Sequence, residues 1–323
     1  MAASGQPASS LAGSRTDRSR SIDPAALMRI RNLQLRARAV VQGFLSGLHK
    51  SPYHGFSVEF TEYRQYTPGD DPRYIDWRVF ARSDRYYLKR YEDETNLRVH
   101  LLADQSRSMD YGSRGFTKAV YAATLAATLA YFVHRQGDAV GLLTFDDQVR
   151  DYLPPRNRAS HLRQLMLALE KPSAGRGTNP VAALERITAL TRKRGLVVLI
   201  SDLLAPLGDL ERELTALSAC GHELAVFQVL DPVELDLGLP QPALLEDVES
   251  GKLLYIDPAQ ARDEYRRRLD AHTAAVEASC RRLGAAFHRI STAEPLELSL
   301  FEFLQARMRR GRLVRRAPGG SRG

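Results

Sequence analysis

The sequence predicts an α/β fold, a doubly wound and mostly parallel sheet preceded by an N-terminal helix and a small β-rich segment. Three observations carry this expectation. From residue 97 onward, short apolar runs alternate with longer stretches of helical periodicity. The runs "LRVHLLA" (97–103), "GLVVLIS" (195–201) and "HELAVFQVL" (222–230) are apolar almost throughout, as strands covered on both faces must be. Helical stretches separate successive runs, the β–α–β rhythm of parallel strands joined by crossovers.

Residues 1–22 are small, polar and interrupted by proline, with no apolar segment of the secretory kind. They read as a disordered tail on a cytoplasmic protein. Residues 23–96 form the next unit. "DPAALMRIRNLQLRARAVVQGFLSGLHK" (23–50) places Leu27, Ile30, Leu33, Leu35, Val40, Val41, Phe44 and Leu48 at helical spacing, with Asp23 and Pro24 suited to N-cap and N1. The stretch 51–96 is aromatic, alternates in "GFSVEFTEY" and turns at "TPGDDP". Residues 97–306 are the α/β domain.

Within that domain the Ala-rich 117–137 reads as a helix ended by Gly137. "DAVGLLTF" (138–145) is a strand with a short partner near 148–153, and 158–171 is a helix. The helix 180–193 precedes the strand 195–201, and the helix 207–220 precedes the strand 222–230. A strand at "KLLYID", a long charged helix near 258–284, the strand 285–290 and a helix near 294–310 complete the order.

The net charge of +8 is unevenly placed. The basic tail 307–323 holds seven arginines and no acid, and residues 1–22 add two charges, so the remaining body sums to about −1. That is not the footprint of a nucleic-acid-binding globule. The arginine tail is either a solvated helix end or a contact for an anionic surface. No run approaches the ~20 apolar residues of a transmembrane helix. Cys220 and Cys280 read as buried reduced thiols. The histidines form no zinc-ligand pair, and His100 reads as a packed, hydrogen-bonded strand residue. There is no phosphate-binding loop ending in Gly-Lys-Ser/Thr, so the chain is not itself an ATPase of that class.

Ligands of doubly wound sheets bind beyond the carboxyl ends of the strands, where the winding reverses. Three loops there carry matching chemistry: Asp104-Gln105-Ser106-Arg107-Ser108, "GRGTN" with Thr178 just before a helix, and "LISDLL" with Asp202. Two carboxylates and three hydroxyls make an all-oxygen set suited to a hard cation such as Mg²⁺, or to Mn²⁺ or Ca²⁺. Hydroxyls add no charge, so the ion stays electron-poor and attracts a further carboxylate. Taken alone, Asp-x-Ser-x-Ser also describes an ordinary strand-to-helix turn with serine caps.

With Thr178 and Asp202 on loops of the right class and order, this pattern resembles the metal-ion-dependent adhesion site of von Willebrand factor type A domains. The preceding "GFSVEFTEYRQYTPGDDPRYIDWRVFARSDRYYLKRYEDE" resembles the signature of the bacterial domain of unknown function 58 family. Phe60, Glu62, Arg64, Tyr66, Pro68, Gly69, Asp70, Arg73, Ile75, Asp76, Trp77, Ala81 and Arg82 carry that likeness. Members often have N-terminal transmembrane helices, and this sequence shows none. Two readings of the signature stand: Trp77 and Phe80 plug a core while the ions satisfy each other, or Arg64, Arg73 and Arg82 with Trp77 form a patch for an acidic partner.

The resemblance implies a non-enzymatic, Mg²⁺-dependent protein-interaction module. It would work with a MoxR-type AAA+ ATPase in protein assembly or maturation, a partner or client donating the carboxylate that completes the metal shell. The alternatives are an Asp104-based phosphohydrolase and anionic-surface or nucleic-acid binding by the tail. The first lacks its acid–base partner, because Ser106 stands where a second Asp would act.

Overall fold

The computed structural model describes residues 21–48, 63–65, 86–89, 97–172, 177–191, 193–205, 207–246 and 251–304. Chain entry is helical, as the periodicity predicts, but in two pieces. Helix α1 (Pro24–Met28) starts under the Asp23 cap, whose carboxylate accepts the Ala26 amide at 3.2 Å. Helix α2 (Leu33–Leu48) restarts after a break at 29–32, where the Asn32 side chain accepts the Leu35 amide at 2.9 Å. That competing local cap ends what the apolar spacing alone reads as one helix. Strands β1 (Tyr63–Gln65) and β2 (Tyr87–Lys89) pair antiparallel.

The α/β domain then follows. Strand β3 (Arg98–Asp104) leads through a 3₁₀ turn (Arg107–Asp110) to α3 (Lys118–Arg135), capped by Thr117. Next come β4 (Ala139–Phe145), β5 (Val149–Arg156), α4 (Ala159–Leu169), α5 (Pro180–Leu190) and β6 (Leu196–Ser201). Helix α6 (Leu207–Ala219), β7 (Glu223–Leu230) and the short α7 (Pro232–Asp236) precede a hairpin, β8 (Ala243–Glu246) with β9 (Leu253–Ile256). Helix α8 (Pro258–Arg282), β10 (Ala286–Ser291) and α9 (296–304) close the described chain.

The central sheet has the order β10-β7-β6-β3-β4-β5, parallel except for β5, which runs antiparallel to β4 at the edge. The path moves outward from β3 to β4 and β5, then returns to the other side of β3 with β6. The winding therefore reverses at β3, and the crevice beyond the carboxyl ends of β3 and β6 is the switch point.

Both faces of the sheet are covered. Val99, Leu101 and Ala103 of β3 point into a core shared with α2, α3, α4 and α9, while Leu102 points into one shared with α5, α6 and α8. Helix α2 sits inside the first core: Leu33, Ala37, Val40, Val41 and Phe44 are all buried, and the Phe44 ring lies 6.0 Å from Phe132 and 6.4 Å from Phe301.

Both thiols are free, but only Cys280 is buried; Cys220 lies in the turn just past α6 and is exposed. His100 is buried as expected, with its Nδ1 lacking a hydrogen-bond partner. No helix of the described residues is long and apolar enough to cross a membrane.

Candidate metal centre

Strand β3 is buried along six of its seven positions, so its last residue, Asp104, is carried to the sheet rim at 2 % exposure. The loop that follows is fixed from both sides. The Gln105 amide donates to the Phe145 carbonyl at 2.7 Å, and the Gln105 side chain turns inward to the Ala168 carbonyl at 3.1 Å. Met109, fully buried, anchors the 3₁₀ turn, and its amide donates to the Ser106 carbonyl at 3.1 Å. Between these anchors the Ser106 and Ser108 hydroxyls lie 3.0 Å apart. Asp104 Oδ1 accepts the Ser106 amide at 2.8 Å, and Oδ2 accepts the Ser201 hydroxyl at 2.5 Å.

Asp202 follows the buried β6 and is also 2 % exposed. Its neighbour Leu203 has φ 53°, a left-handed conformation that costs a side-chain-bearing residue about 1 kcal/mol. Three contacts hold it there: the Leu203 amide donates to Ser201 Oγ at 3.1 Å, His272 Nε2 donates to the Leu203 carbonyl at 2.6 Å, and Gln228 Nε2 donates to the Asp202 carbonyl at 3.1 Å. The two carboxylates are close enough to act on each other through space. Burial, and next the proximity of Asp202, push the Asp104 carboxyl up to about 7.

A residue that sequence reasoning missed completes the arrangement. Lys118, the first residue of α3, is wholly buried, and its ammonium donates to Asp202 Oδ2 at 2.9 Å and to Glu234 Oε1 at 2.6 Å. Glu234 in turn closes a capping box with Asp231, whose carboxylate accepts the Ser113 amide at 3.0 Å and the Ser113 hydroxyl at 2.6 Å. Lys118 takes one oxygen of Asp202 and leaves Oδ1 with only a 3.5 Å approach from the Leu204 amide.

Thr178 is half-buried just before α5. The neighbouring Asn179 amide donates to the Asp146 carbonyl at 2.6 Å, which ties this loop to the carboxyl end of β4, the strand beside β3. Asp104, Ser106, Ser108 and Asp202 are thus brought together, and Thr178 is carried to the same rim. Of the signature residues, Arg64 lies on β1, opposite Leu88. Arg73, Trp77 and Arg82 lie outside the described residues, as does the 307–323 tail.

The donor set suits a hard divalent cation. Among the described residues no three His, Cys, Asp or Glu side chains form a metal cluster, and a hard cation such as magnesium or calcium would draw on the hydroxyl oxygens beside the two carboxylates. Burial raises both the Asp104 and the Glu234 carboxyl, so a cation placed there would favour their ionised forms. Around this rim Tyr111 is 42 % and Leu204 45 % exposed.

The solved structure of an aerotolerance-related membrane protein from Bacteroides fragilis is similar at 16% identity and a TM-score of 0.44, over 65% of this chain and 98% of that one. The SpRpn10 VWA domain is similar at 12% identity and a TM-score of 0.36, over 63% of this chain and 93% of that one. The sheet order places the Asp104 loop at the end of β3, at the switch point. "Uncharacterized protein Rv1480" of Mycobacterium tuberculosis is 32% identical over 298 residues, 90% of this chain and 92% of the relative. Residues 62–275 match the family described as Protein of unknown function DUF58, and the chain belongs to that family.

Proposed function

We propose that this protein is a non-enzymatic, divalent-cation-dependent protein-interaction module. Asp104, Ser106, Ser108, Thr178 and Asp202 hold Mg²⁺, and a partner supplies a carboxylate as a further ligand. The observation that carries this reading is the pairing of two buried carboxylates beside two hydroxyls 3.0 Å apart, with Lys118 compensating only part of their charge. Bound there, the ion supplies Lewis acidity toward an incoming carboxylate. Ser201 and the Ser106 amide orient Asp104, and Lys118 orients Asp202. Tyr111 and Leu204 supply apolar rim that a partner covers, within an interface of roughly 1,200–2,000 Å² in total. Family resemblance adds a MoxR-type AAA+ ATPase as the partner class, acting in assembly or maturation of other proteins.

A phosphohydrolase reading finds no support in the site. The side chain two positions after Asp104 is a serine engaged with Ser108, so the acid–base group that Asp chemistry needs is not supplied there.

Calorimetric titration with MgCl₂ tests the metal, and capture of a purified MoxR-type ATPase with and without EDTA tests the partner. Saturable Mg²⁺ binding that disappears in an Asp104→Ala/Ser106→Ala variant is expected, together with EDTA-sensitive capture. Capture that is equal in every condition removes metal gating from the account.

A further inference from the structure

Beside Asp104 lies a second feature, whose arginines the metal reading does not use. A cleft of about 300 Å³ opens between the 31–36 segment, the end of β3, the start of α3 and the end of α4. Its apolar lining comes from Leu33, Ala119, Val120, Ala123 and Leu169. Its charged lining is mixed, with Arg31, Arg36 and Lys171 beside Asp104, Asp110 and Glu170. Lys171 is paired with Asp151 at 2.7 Å, and Glu170 accepts the Leu33 amide at 3.3 Å. Asp104 is engaged by Ser106 and Ser201.

Among the described residues Arg36 has no hydrogen-bonded acid. It is 7 % exposed and lines the cleft, its Nε has no hydrogen-bond partner, and its Nη1 reaches only the Met28 sulfur at 3.3 Å. The carboxylate that acts on it, Glu170, does so through space. Burial accordingly lowers its pKa from the ordinary arginine value. Arg31 is exposed beside it on the same cleft. A buried guanidinium that no carboxylate hydrogen-bonds is costly, and an anion that hydrogen-bonds it directly offsets that cost. Arginine's planar fork matches a carboxylate or phosphate in two parallel hydrogen bonds.

We propose that this cleft binds the oxyanion group of a small organic anion, a carboxylate or phosphate ester with a short apolar body. Arg36 grips the head group inside the cleft, and Arg31 meets it at the mouth. The apolar lining takes the body. A volume at the lower end of the usual range for ligand pockets admits about one ring and its anionic substituent. The site adjoins the metal reading and shares Asp104 with it, but neither Ser106 nor Ser108 lines it, and no step of metal binding passes through Arg36.

Two probes distinguish the head groups, benzoate and phenyl phosphate. Each is titrated calorimetrically into the full-length protein, and each is scored by thermal shift at constant ionic strength against sodium chloride. At least one probe binds the wild type saturably and raises its melting temperature. Arg36→Met loses that binding by about tenfold or more, the value of a charge-assisted hydrogen bond. Its probe-free melting temperature stays level or rises, because an unpaired buried charge has been removed. Arg31→Ala, an exposed change without a folding cost, weakens the probe several-fold and keeps the test open if Arg36→Met misfolds. Ser108→Ala leaves binding unchanged, even where it abolishes Mg²⁺ affinity. Absence of saturable binding by both probes, equal binding in Arg31→Ala, or an equal shift with chloride overturns the proposal.

Discussion

Asp104 and His100 stand on one strand and titrate in opposite senses. Burial and then Asp202 raise Asp104 from 3.8 to about 7, so between those values the folded state holds a proton that the unfolded state has released. Stability falls there as pH rises. Burial, then His222 and Arg98, lower His100 from 6.5 to about 4, so in that window the unfolded state binds the extra proton and stability rises with pH. Shifts of this size are each worth on the order of 3–4 kcal/mol. The two slopes oppose one another between about pH 4 and 6.5. Urea denaturation across that range should show His100→Gln losing stability with rising pH and Asp104→Asn gaining it. Saturating Mg²⁺ should flatten the His100→Gln loss by drawing the proton off Asp104. Variants that trace the wild-type curve would refute the assignment. Lys118→Met makes a second residue-scale case. It leaves the Asp202 and Glu234 carboxylates without their cation, at about 3–5 kcal/mol for a broken buried pair. Mg²⁺ should restore part of that loss, read as a larger metal-induced rise in melting temperature than the wild type shows. Asp104, Ser106, Ser108 and Asp202 were legible in the sequence because each ends or follows an apolar strand. Lys118 was not: at the start of an Ala-rich helix it reads as a solvated first-turn lysine, and its two partners lie 84 and 116 residues downstream.

At the level of elements, the parallel strands were readable because burial on both faces forces continuous apolar runs. The pieces that escaped lack such a constraint. Helix α7 has only five residues, and β8 shows no apolar alternation that separates it from a loop; the hairpin leaves Leu244, Leu253, Leu254 and Tyr255 exposed. The antiparallel edge shows how local chemistry finishes a sheet. Strand β5 ends in Pro154-Pro155-Arg156, and proline withholds the donors that a further strand would need. Opposite it, the β4–β5 register shifts between Val140 and Leu142, and Gly141 sits in that irregularity. A Cβ at Gly141 would lie 2.7 Å from the Leu153 carbonyl oxygen and 2.8 Å from the Pro155 nitrogen. Both obstacles are backbone, so neither can rotate aside. Gly141→Ala should therefore cost about 1–3 kcal/mol, as overpacking does. It should raise amide exchange along β4 and β5 while leaving β7 and β10 protected. Uniform protection would mean that the edge absorbs the methyl group without parting.

For the whole molecule, the question is whether the N-terminal helices are an appendage or part of the folding unit. Helix α2 buries its apolar face in the same core as β3, α3, α4 and α9, so no layer of its own screens it from the sheet. The ends of the described chain also meet. Phe44 packs on Phe301, and the Ile22 amide donates to Glu297 Oε1 at 3.2 Å across 275 residues. A sheet whose neighbours are mostly joined by crossovers already depends on contacts distant in sequence, and such topologies form slowly. Adding α2 and α9 to the same core couples both chain ends to that slow step. Phe44→Ala removes a buried ring touching an element from each half, so the cost should be about 3–5 kcal/mol. If the helices belong to the unit, the loss appears as a lower midpoint of a single unfolding transition, and amides of α2 exchange with the same free energy as those of β3. If they are an appendage, Phe44→Ala instead splits off an early transition, α2 exchanges ahead of the sheet, and β3 keeps its wild-type protection.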